Sequence, residues 1–421
     1  MLDVKKIRED FPIYKNHKND SKPFIYLDNA ATTFKPKAVI DACSYYYEYD
    51  GANAHRGDYD LAFNVDKKVS ETRSNLAKFL NANPEEIVFT SGTSMSLNLV
   101  AYGYGMKYLT SEDEIILTEA EHASNVLPWF KVAESKGCKI KYIPLDSKGR
   151  CLKENLEKVI TKHTKVVSVA QVSNVLGFKT DIKGISEVAH KYGAIVVCDA
   201  AQSAPHIKID VKDLDCDFLT LSAHKMLGPT GIGALYGKFD LLCKMDPFMM
   251  GGGDNARFDM CGNVAYLQPP AKFEAGTQNI AGIYGFNEAI KYLNNIGMRN
   301  IEKHEEELKK YAIEKLSTLD NVIIYNKDSV SGIITFNVKD VFPQDEASLL
   351  NSKGIYVRSG EHCAKLLRDF LKTVGTLRCS FYLYNDFNDI DHLYNALKEK
   401  GDILDAYFNW WNEKRNNIRS L

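Results

Sequence analysis

Apolar and polar positions along this 421-residue chain follow two periods that take turns. Short apolar runs recur at Glu86-Ile-Val-Phe-Thr, Glu114-Ile-Ile-Leu-Thr, Lys139-Ile-Lys-Tyr-Ile, Lys165-Val-Val-Ser-Val-Ala, Ala194-Ile-Val-Val-Cys and Asp217-Phe-Leu-Thr-Leu, and each reads as a strand. Between them the period lengthens. Ile182, Ile185, Val188, Ala189 and Tyr192 keep helical spacing, and Gly193 suits the stop that follows. Helices are also predicted over about 36–49, 62–80, 281–296 and 298–319. Strands alternating with helices imply right-handed crossovers and a mainly parallel sheet. Ligands of such sheets bind beyond the carboxyl ends of the strands. Thr93, His122, Asn174, Asp199, Gln202 and Lys225 all fall at such ends.

Three regions follow from the same pattern. Residues 1–27 read as an N-terminal arm, with a short polar helix and the strand Phe24-Ile-Tyr-Leu, that packs with the C-terminal domain. Residues 28–296 carry the alternating pattern and form the large domain. Residues 297–421 hold strands at Gly332-Ile-Ile-Thr-Phe, Ile355-Tyr-Val-Arg and Leu377-Arg-Cys-Ser, a smaller α/β domain. Within the helix at 298–319, the run His304-Glu-Glu-Glu307 reads as a solvated face. Residues 252–277 read as an irregular loop or hairpin. The tail from 404 carries Tyr407, Phe408, Trp410 and Trp411 and reads as a packing helix or a partner-docking segment.

Composition narrows the function. Apolar residues make up 45% of the chain, enough for a sizeable core, and 53 basic residues nearly balance 55 acidic ones. That balance argues against nucleic acid and membrane surfaces, which need a basic face. Nine cysteines lie widely spread, with no Cys-x-x-Cys pair, so neither a disulfide framework nor a metal knuckle is expected. Most should pack as small hydrophobes. The start, Met1-Leu-Asp-Val-Lys-Lys, lacks a signal-peptide core, and no run reaches membrane-spanning length. A soluble, cytoplasmic protein without a metal is the expectation.

The chemistry centres on Ser222-Ala-His-Lys225, just past a strand end and before a Gly/Pro turn. A lysine there is either a surface charge or an amine that attacks an aldehyde to form a Schiff base. A pyridoxal 5'-phosphate site would need that amine, an acid facing the pyridine nitrogen, a flat group on the ring, and donors for the phosphate. Lys225, Asp199 and His122 can supply the first three, and Gln202 can reach the ring hydroxyl. Thr93, Ser222 and His224 can hold phosphate. Each has an ordinary structural reading as well: a cap, a packed histidine, a helix start. Asp28-Asn29-Ala30 reads as a small-residue turn, and His55-Arg56 as a loop that either lines a site or is solvated.

Cys198-Asp-Ala-Ala-Gln and Ser222-Ala-His-Lys-Met-Leu-Gly-Pro-Thr-Gly resemble the class V aminotransferases, in their cysteine desulfurase group. So do Leu27-Asp-Asn-Ala-Ala-Thr, His55-Arg-Gly, Ser91-Gly-Thr, Glu121-His-Ala-Ser-Asn, Val172-Ser-Asn-Val-Leu-Gly, Phe273-Glu-Ala-Gly-Thr, Arg358-Ser-Gly-Glu-His-Cys-Ala and Arg378-Cys-Ser, in order along nearly the whole chain. The resemblance implies a fold-type I pyridoxal-phosphate-dependent transferase, with a mainly parallel seven-stranded sheet and a smaller C-terminal α/β domain. It implies that Lys225 carries the cofactor and moves the α-proton, Asp199 meets the pyridine nitrogen, Gln202 the phenolic oxygen, and His122 the ring face. Thr93, Ser222 and His224 would bind phosphate, with Thr277 reaching across from a second subunit. Asn174, also a cofactor-binding candidate, and Arg378 would hold the substrate carboxylate; Asn29, His55, Arg56 and Arg358 are further candidates for contact with substrate.

Cys363 discriminates among reactions on this scaffold. It lies in a polar loop beside His362 and near Arg358, and positive neighbours favour the nucleophilic thiolate. A desulfurase needs such a thiolate; an ordinary aminotransferase does not. The resemblance therefore implies conversion of L-cysteine to L-alanine, with sulfur held on Cys363 as a persulfide for an acceptor protein of iron–sulfur cluster assembly. The short cysteine loop resembles the SUF-type second group, although Glu361 departs from its usual pattern. A homodimer is implied by the same resemblance. Selenocysteine lyase, an aminotransferase and a kynureninase-like cleavage are the competing activities.

Overall fold

The computed structural model describes residues 1–54, 57–252 and 255–399. The chain divides into two compact units. One comprises 1–34, 173–179 and the chain from 299 onward; the other comprises 35–172 and 180–298. The sequence pattern drew its boundary at residue 28 instead. The difference has a local cause: strand β1 (Ile25–Tyr26) is paired with a strand of the C-terminal region, and Asp28 bridges to Ser380, so the turn after β1 stays with that unit.

The larger unit is built on a seven-stranded sheet. Its strands are β2 (Ile87–Thr90), β3 (Glu114–Thr118), β4 (Lys139–Ile143), β5 (Thr164–Ala170), β6 (Ile195–Asp199), β7 (Phe218–Ser222) and β8 (Gly233–Gly237). Their spatial order is β2-β8-β7-β6-β5-β3-β4. All neighbours are parallel except those of β8, which runs antiparallel to both β2 and β7. Residues of β2, β3, β6, β7 and β8 are buried throughout, which explains their near-continuous apolar runs; the edge strand β4 is the wet one. Strand β8 escaped the sequence pattern because Gly233-Ala-Leu-Tyr-Gly lies inside a Gly-rich stretch that reads as a turn. Its glycines are needed: a Cβ on Gly233 would lie 2.6 Å from Gly92 Cα, and one on Gly237 would meet Leu242 and Phe218 at 2.7–2.9 Å. A short exposed hairpin, β9 (Ala256–Phe258) with β10 (Val264–Tyr266), follows.

The smaller unit carries a sheet of order β11-β12-β15-β14, all antiparallel: β11 (Val322–Ile324), β12 (Ile333–Val338), β14 (Arg358–Gly360) and β15 (Thr376–Ser380). Strand β13 (Ile355–Tyr356) pairs with β1 in parallel. Leu308, Ala312 and Leu316 pack with Phe336, Leu377 and Leu393 in its core. Leu308, Ala312 and Leu316 sit on the helix Met298–Leu316, whose charge run is not a solvated face. Its 3.6-residue period puts Ile301, His304, Glu305, Leu308 and Lys309 on the buried side, while Glu306 remains exposed. His304 Nε2 meets the Asn385 carbonyl at 3.0 Å. The tail from 404 lies outside the described residues. Among those residues, no helix is long and apolar enough to cross a membrane.

Phe218 opens the strand that leads to Lys225 and is fully buried. Phe218→Ala should lower the unfolding free energy by about 3–5 kcal/mol, read from the denaturant midpoint at unchanged slope.

Candidate active site

The carboxyl ends of four strands in the larger unit gather most of the predicted residues. Asp199 is the last residue of β6 and Ser222 the last of β7. Lys225 closes the 3-10 turn Ala223–Lys225 directly after β7. Thr93 opens the helix Thr93–Val100, three residues past β2, and His122 lies four residues past β3.

Asp199 is buried, and one carboxylate oxygen accepts from the Ala201 N–H at 2.9 Å. Burial pushes its pKa above the usual carboxylate value; the Ala201 N–H and the positive charge of Lys225 pull the other way. A group presenting an N–H⁺ would relieve that desolvation, so Asp199 suits the nitrogen of a protonated heterocycle. His122 accepts from Ser124 N through Nδ1 at 3.1 Å, which places a neutral ring's proton on Nε2. Ser94 and Ser124 hydroxyls lie 2.6 Å apart and tie this turn to the helix that Thr93 begins.

Next to that helix start is a cradle with a polar lining. The Thr93 N–H donates to Ser222 Oγ at 2.8 Å. The Thr93 hydroxyl is buried and has no hydrogen-bond partner among the described residues. Gly92 adopts φ +143°, and a Cβ there would lie 3.1 Å from Ser222 Oγ. Glycine thus keeps open the approach to a helix start whose dipole favours an anion. These features fit a phosphate ester. His224 is held well below its ordinary pKa, at about 4, by burial and by the charges of Lys225 and Lys35, so it meets an anion as a neutral hydrogen-bonding group. Lys35 donates to the His224 carbonyl at 2.9 Å and braces the turn that carries Lys225. Sequence reasoning passed over Lys35; its position in Phe34-Lys-Pro after the small-residue turn gave no sign of a partner 189 residues away. Thr277 is exposed and accepts from Asn53 Nδ2 at 3.1 Å.

Glu121 was also overlooked as a residue with a role of its own. It is buried at the end of the β3 turn, where Oε1 accepts from Thr118 Oγ1 at 2.6 Å and Oε2 from Asn125 Nδ2 at 2.8 Å. Burial, helped by the negative charge of Asp199, raises its pKa to about 7.

The smaller unit gathers a second set. Arg378 is 1% exposed; it donates to the Asn174 carbonyl at 2.9 Å and to Asp28 Oδ1 at 3.0 Å. Its Nε has no partner among the described residues, so the guanidinium keeps buried donors for another acceptor. Asn174 in turn donates from Nδ2 to the His362 carbonyl at 2.8 Å. Asn29 is fully engaged inside the protein: Nδ2 donates to Ser380 O and Asn385 Oδ1, and its oxygen accepts from the Tyr384 hydroxyl. That is a structural pattern rather than a substrate contact. His55 and Arg56 lie outside the described residues.

Cys363 is exposed, and Arg358 approaches its Sγ at 3.6 Å. Exposure alone does not single it out, because Cys243 and Cys261 are exposed too. Nor does His362 supply a charge. Its ring is buried, and burial together with Arg378 and Arg358 pushes its pKa down to about 3. The expectation that it acts as a positive neighbour is therefore corrected: the cations near the thiol are arginines.

Residues 25–393 match the family model described as aminotransferase class-V. The chain belongs to the class V aminotransferase family. Within it, the chain is 44% identical to a probable cysteine desulfurase of Halalkalibacterium halodurans, over 97% of this chain and 100% of the relative. It is 42% identical to a probable cysteine desulfurase of Staphylococcus aureus, over 97% and 99%. Among solved structures it is similar to the apo cysteine desulfurase of Thermococcus onnurineus, with a TM-score of 0.89, 38% identity, and 94% and 98% coverage of the two chains. The cysteine desulfurase CsdA of Escherichia coli superposes with a TM-score of 0.88 at 35% identity, covering 94% and 98%. The seven-stranded, mostly parallel sheet is thus the fold expected of this family.

Glu121 gives a signed stability prediction. Its folded pKa lies above the unfolded value, so the folded state holds an extra proton between pH 4.5 and about 7. Stability contributed by this group falls as pH rises through that window. Glu121→Gln should raise unfolding free energy at pH 8 by on the order of 2 kcal/mol, with little change at pH 4.5, in parallel denaturant titrations.

Proposed function

We propose that this chain is a pyridoxal-phosphate-dependent cysteine desulfurase of the SUF-type second group, converting L-cysteine to L-alanine and taking the sulfur onto Cys363. The observation that carries the reading is an exposed thiol 3.6 Å from Arg358, on a loop braced by Asn174, in a class V aminotransferase chain. Pyridoxal 5'-phosphate, when bound, supplies an electron sink that stabilises negative charge at the substrate α-carbon.

Lys225 would hold the cofactor and would move the proton at the substrate α-carbon. Asp199 would keep the proton on the pyridine nitrogen, and Gln202 would meet the phenolic oxygen. His122 would stack on the ring. Thr93, Ser222 and His224 would receive the phosphate, joined by Thr277 from a second copy of the chain. Arg378 and Asn174 orient the substrate carboxylate, because a guanidinium fork matches that group bidentately. The Cys363 thiolate then attacks the substrate sulfur. A sulfur–sulfur bond forms as the substrate Cβ–S bond breaks, and the electron pair of the broken bond stays with the carbon skeleton. Protonation of that carbon yields alanine. The balance is one cysteine and one thiol giving one alanine and one persulfide, with no external oxidant.

The persulfide passes to an acceptor protein of iron–sulfur cluster assembly in the cytoplasm. A homodimer is supported by a set of exposed aromatic side chains in the larger unit, Tyr47, Tyr49, Tyr59 and Phe63.

With purified, cofactor-loaded protein, added cysteine should release alanine in step with a persulfide located on Cys363 by mass spectrometry. Cys363→Ser should lower alanine release at least ~100-fold yet keep the cofactor's visible absorbance. Alanine release at the wild-type rate in that variant would sink the reading.

A further inference from the structure

The turn that presents Cys363 has an unfavourable backbone. Gly360, His362 and Cys363 have φ of +110°, +51° and +60°. Glycine adopts such values freely. Two successive residues with side chains do not, because Cβ crowds the neighbouring carbonyl oxygen. Such a bend persists only where its surroundings over-determine it.

Two hydrogen-bonded clamps act on it, both through His362. The ring Nε2 lies 2.9 Å from Thr376 Oγ1 and 3.1 Å from the Thr376 carbonyl oxygen, at the start of β15. The His362 carbonyl accepts from Asn174 Nδ2 at 2.8 Å. His362 is 3% exposed. A neutral imidazole has one N–H, and a carbonyl oxygen can only accept, so the proton sits on Nε2. Nδ1 is buried without a partner among the described residues. The ring therefore faces away from acid–base work at the thiol and toward the strand behind it.

We propose that His362 is a positioning residue for Cys363: by donating to Thr376 it locks the left-handed bend that holds the thiol beside Arg358. Its effect on turnover rests on Cys363 being the sulfur acceptor; its effect on the loop does not. Attack on a substrate sulfur requires alignment with the bond that breaks, and misplacement by about 1 Å can lower a rate about 100-fold. The loss therefore falls on kcat, while substrate binding through other groups leaves KM nearly unchanged.

The experiment compares His362→Leu, His362→Gln and Thr376→Val in the full chain, with hydrogen exchange of residues 361–364 and steady-state alanine release as readouts. His362→Leu should speed loop exchange at least ~10-fold and lower kcat about 10- to 100-fold, with KM within ~3-fold. His362→Gln, which restores a donor at the same reach, should recover most of both. Thr376→Val, which removes one of the two acceptors, should fall between wild type and His362→Leu. The pH profile of kcat should keep its shape in all three. Unchanged exchange, an undiminished kcat in a folded His362→Leu protein, or loss of one limb of the pH profile would each overturn the proposal. Should His362→Leu fail to fold, unchanged exchange in Thr376→Val overturns it alone. If wild-type protein makes no alanine from cysteine, the proposed function fails while the exchange data still judge the clamp.

Discussion

A carboxylate buried at the end of a central parallel strand sets the terms for the larger unit. Asp199 lies where β6 ends, and burial makes its charge costly. A chain keeps such a group when something cationic answers it. Lys225 reaches it electrostatically from the turn after β7, the strand adjacent to β6. That pairing depends on register: Asp199 stands opposite Thr220, so the two strands end nearly level and both side chains emerge at the same rim. A slip of one residue would turn the Asp199 side chain to the other face of the sheet. Parallel order, burial on both faces and the placement of chemistry at the carboxyl ends are thus aspects of one arrangement.

A second buried charge plays the same part in the smaller unit. Arg378 is nearly inaccessible, and burial lowers its pKa while Asp28 raises it. Asp28 is brought there by the β1–β13 pairing, which is why a turn near the N-terminus belongs with a sheet more than 300 residues later. The guanidinium also takes the Asn174 carbonyl, and the Asn174 side chain takes the His362 carbonyl. A continuous path of hydrogen bonds therefore joins Asp28, Arg378, Asn174 and the turn that bears Cys363. In the proposed reaction, the residues that orient the substrate carboxylate also brace the nucleophile's loop.

Much of this was legible in sequence, for identifiable reasons. Strands buried on both faces advertise themselves as apolar runs, so β2, β3, β5, β6 and β7 stood out, and with them the residues at their ends. Strand β8 did not, because the glycines that let it pack against β7 and Gly92 also erase its strand signal. The buried half of the His304–Glu307 run was hidden by its charge; only the helical period, read against Ile301 and Leu308, exposes it. Lys35 shows no partner in sequence because its contact, 189 residues away, comes from folding; the hydrogen-bond partners of Glu121 are three and four residues away, and what the sequence hides there is the burial.

His362 shows how little adjacency in sequence says about direction in space. A histidine beside a cysteine suggests a charge that stabilises a thiolate. Adjacent side chains share a backbone but need not share a direction, and here two left-handed residues turn the ring into β15 while the thiol stays in solvent. Once the ring is buried among arginines, a proton on it becomes unfavourable, and the residue can act only by hydrogen bonding. The same arginines remain charged and near the thiol. Burial has divided between two residue types what the sequence seemed to assign to one: the guanidinium groups bear the charge, and the imidazole fixes the geometry.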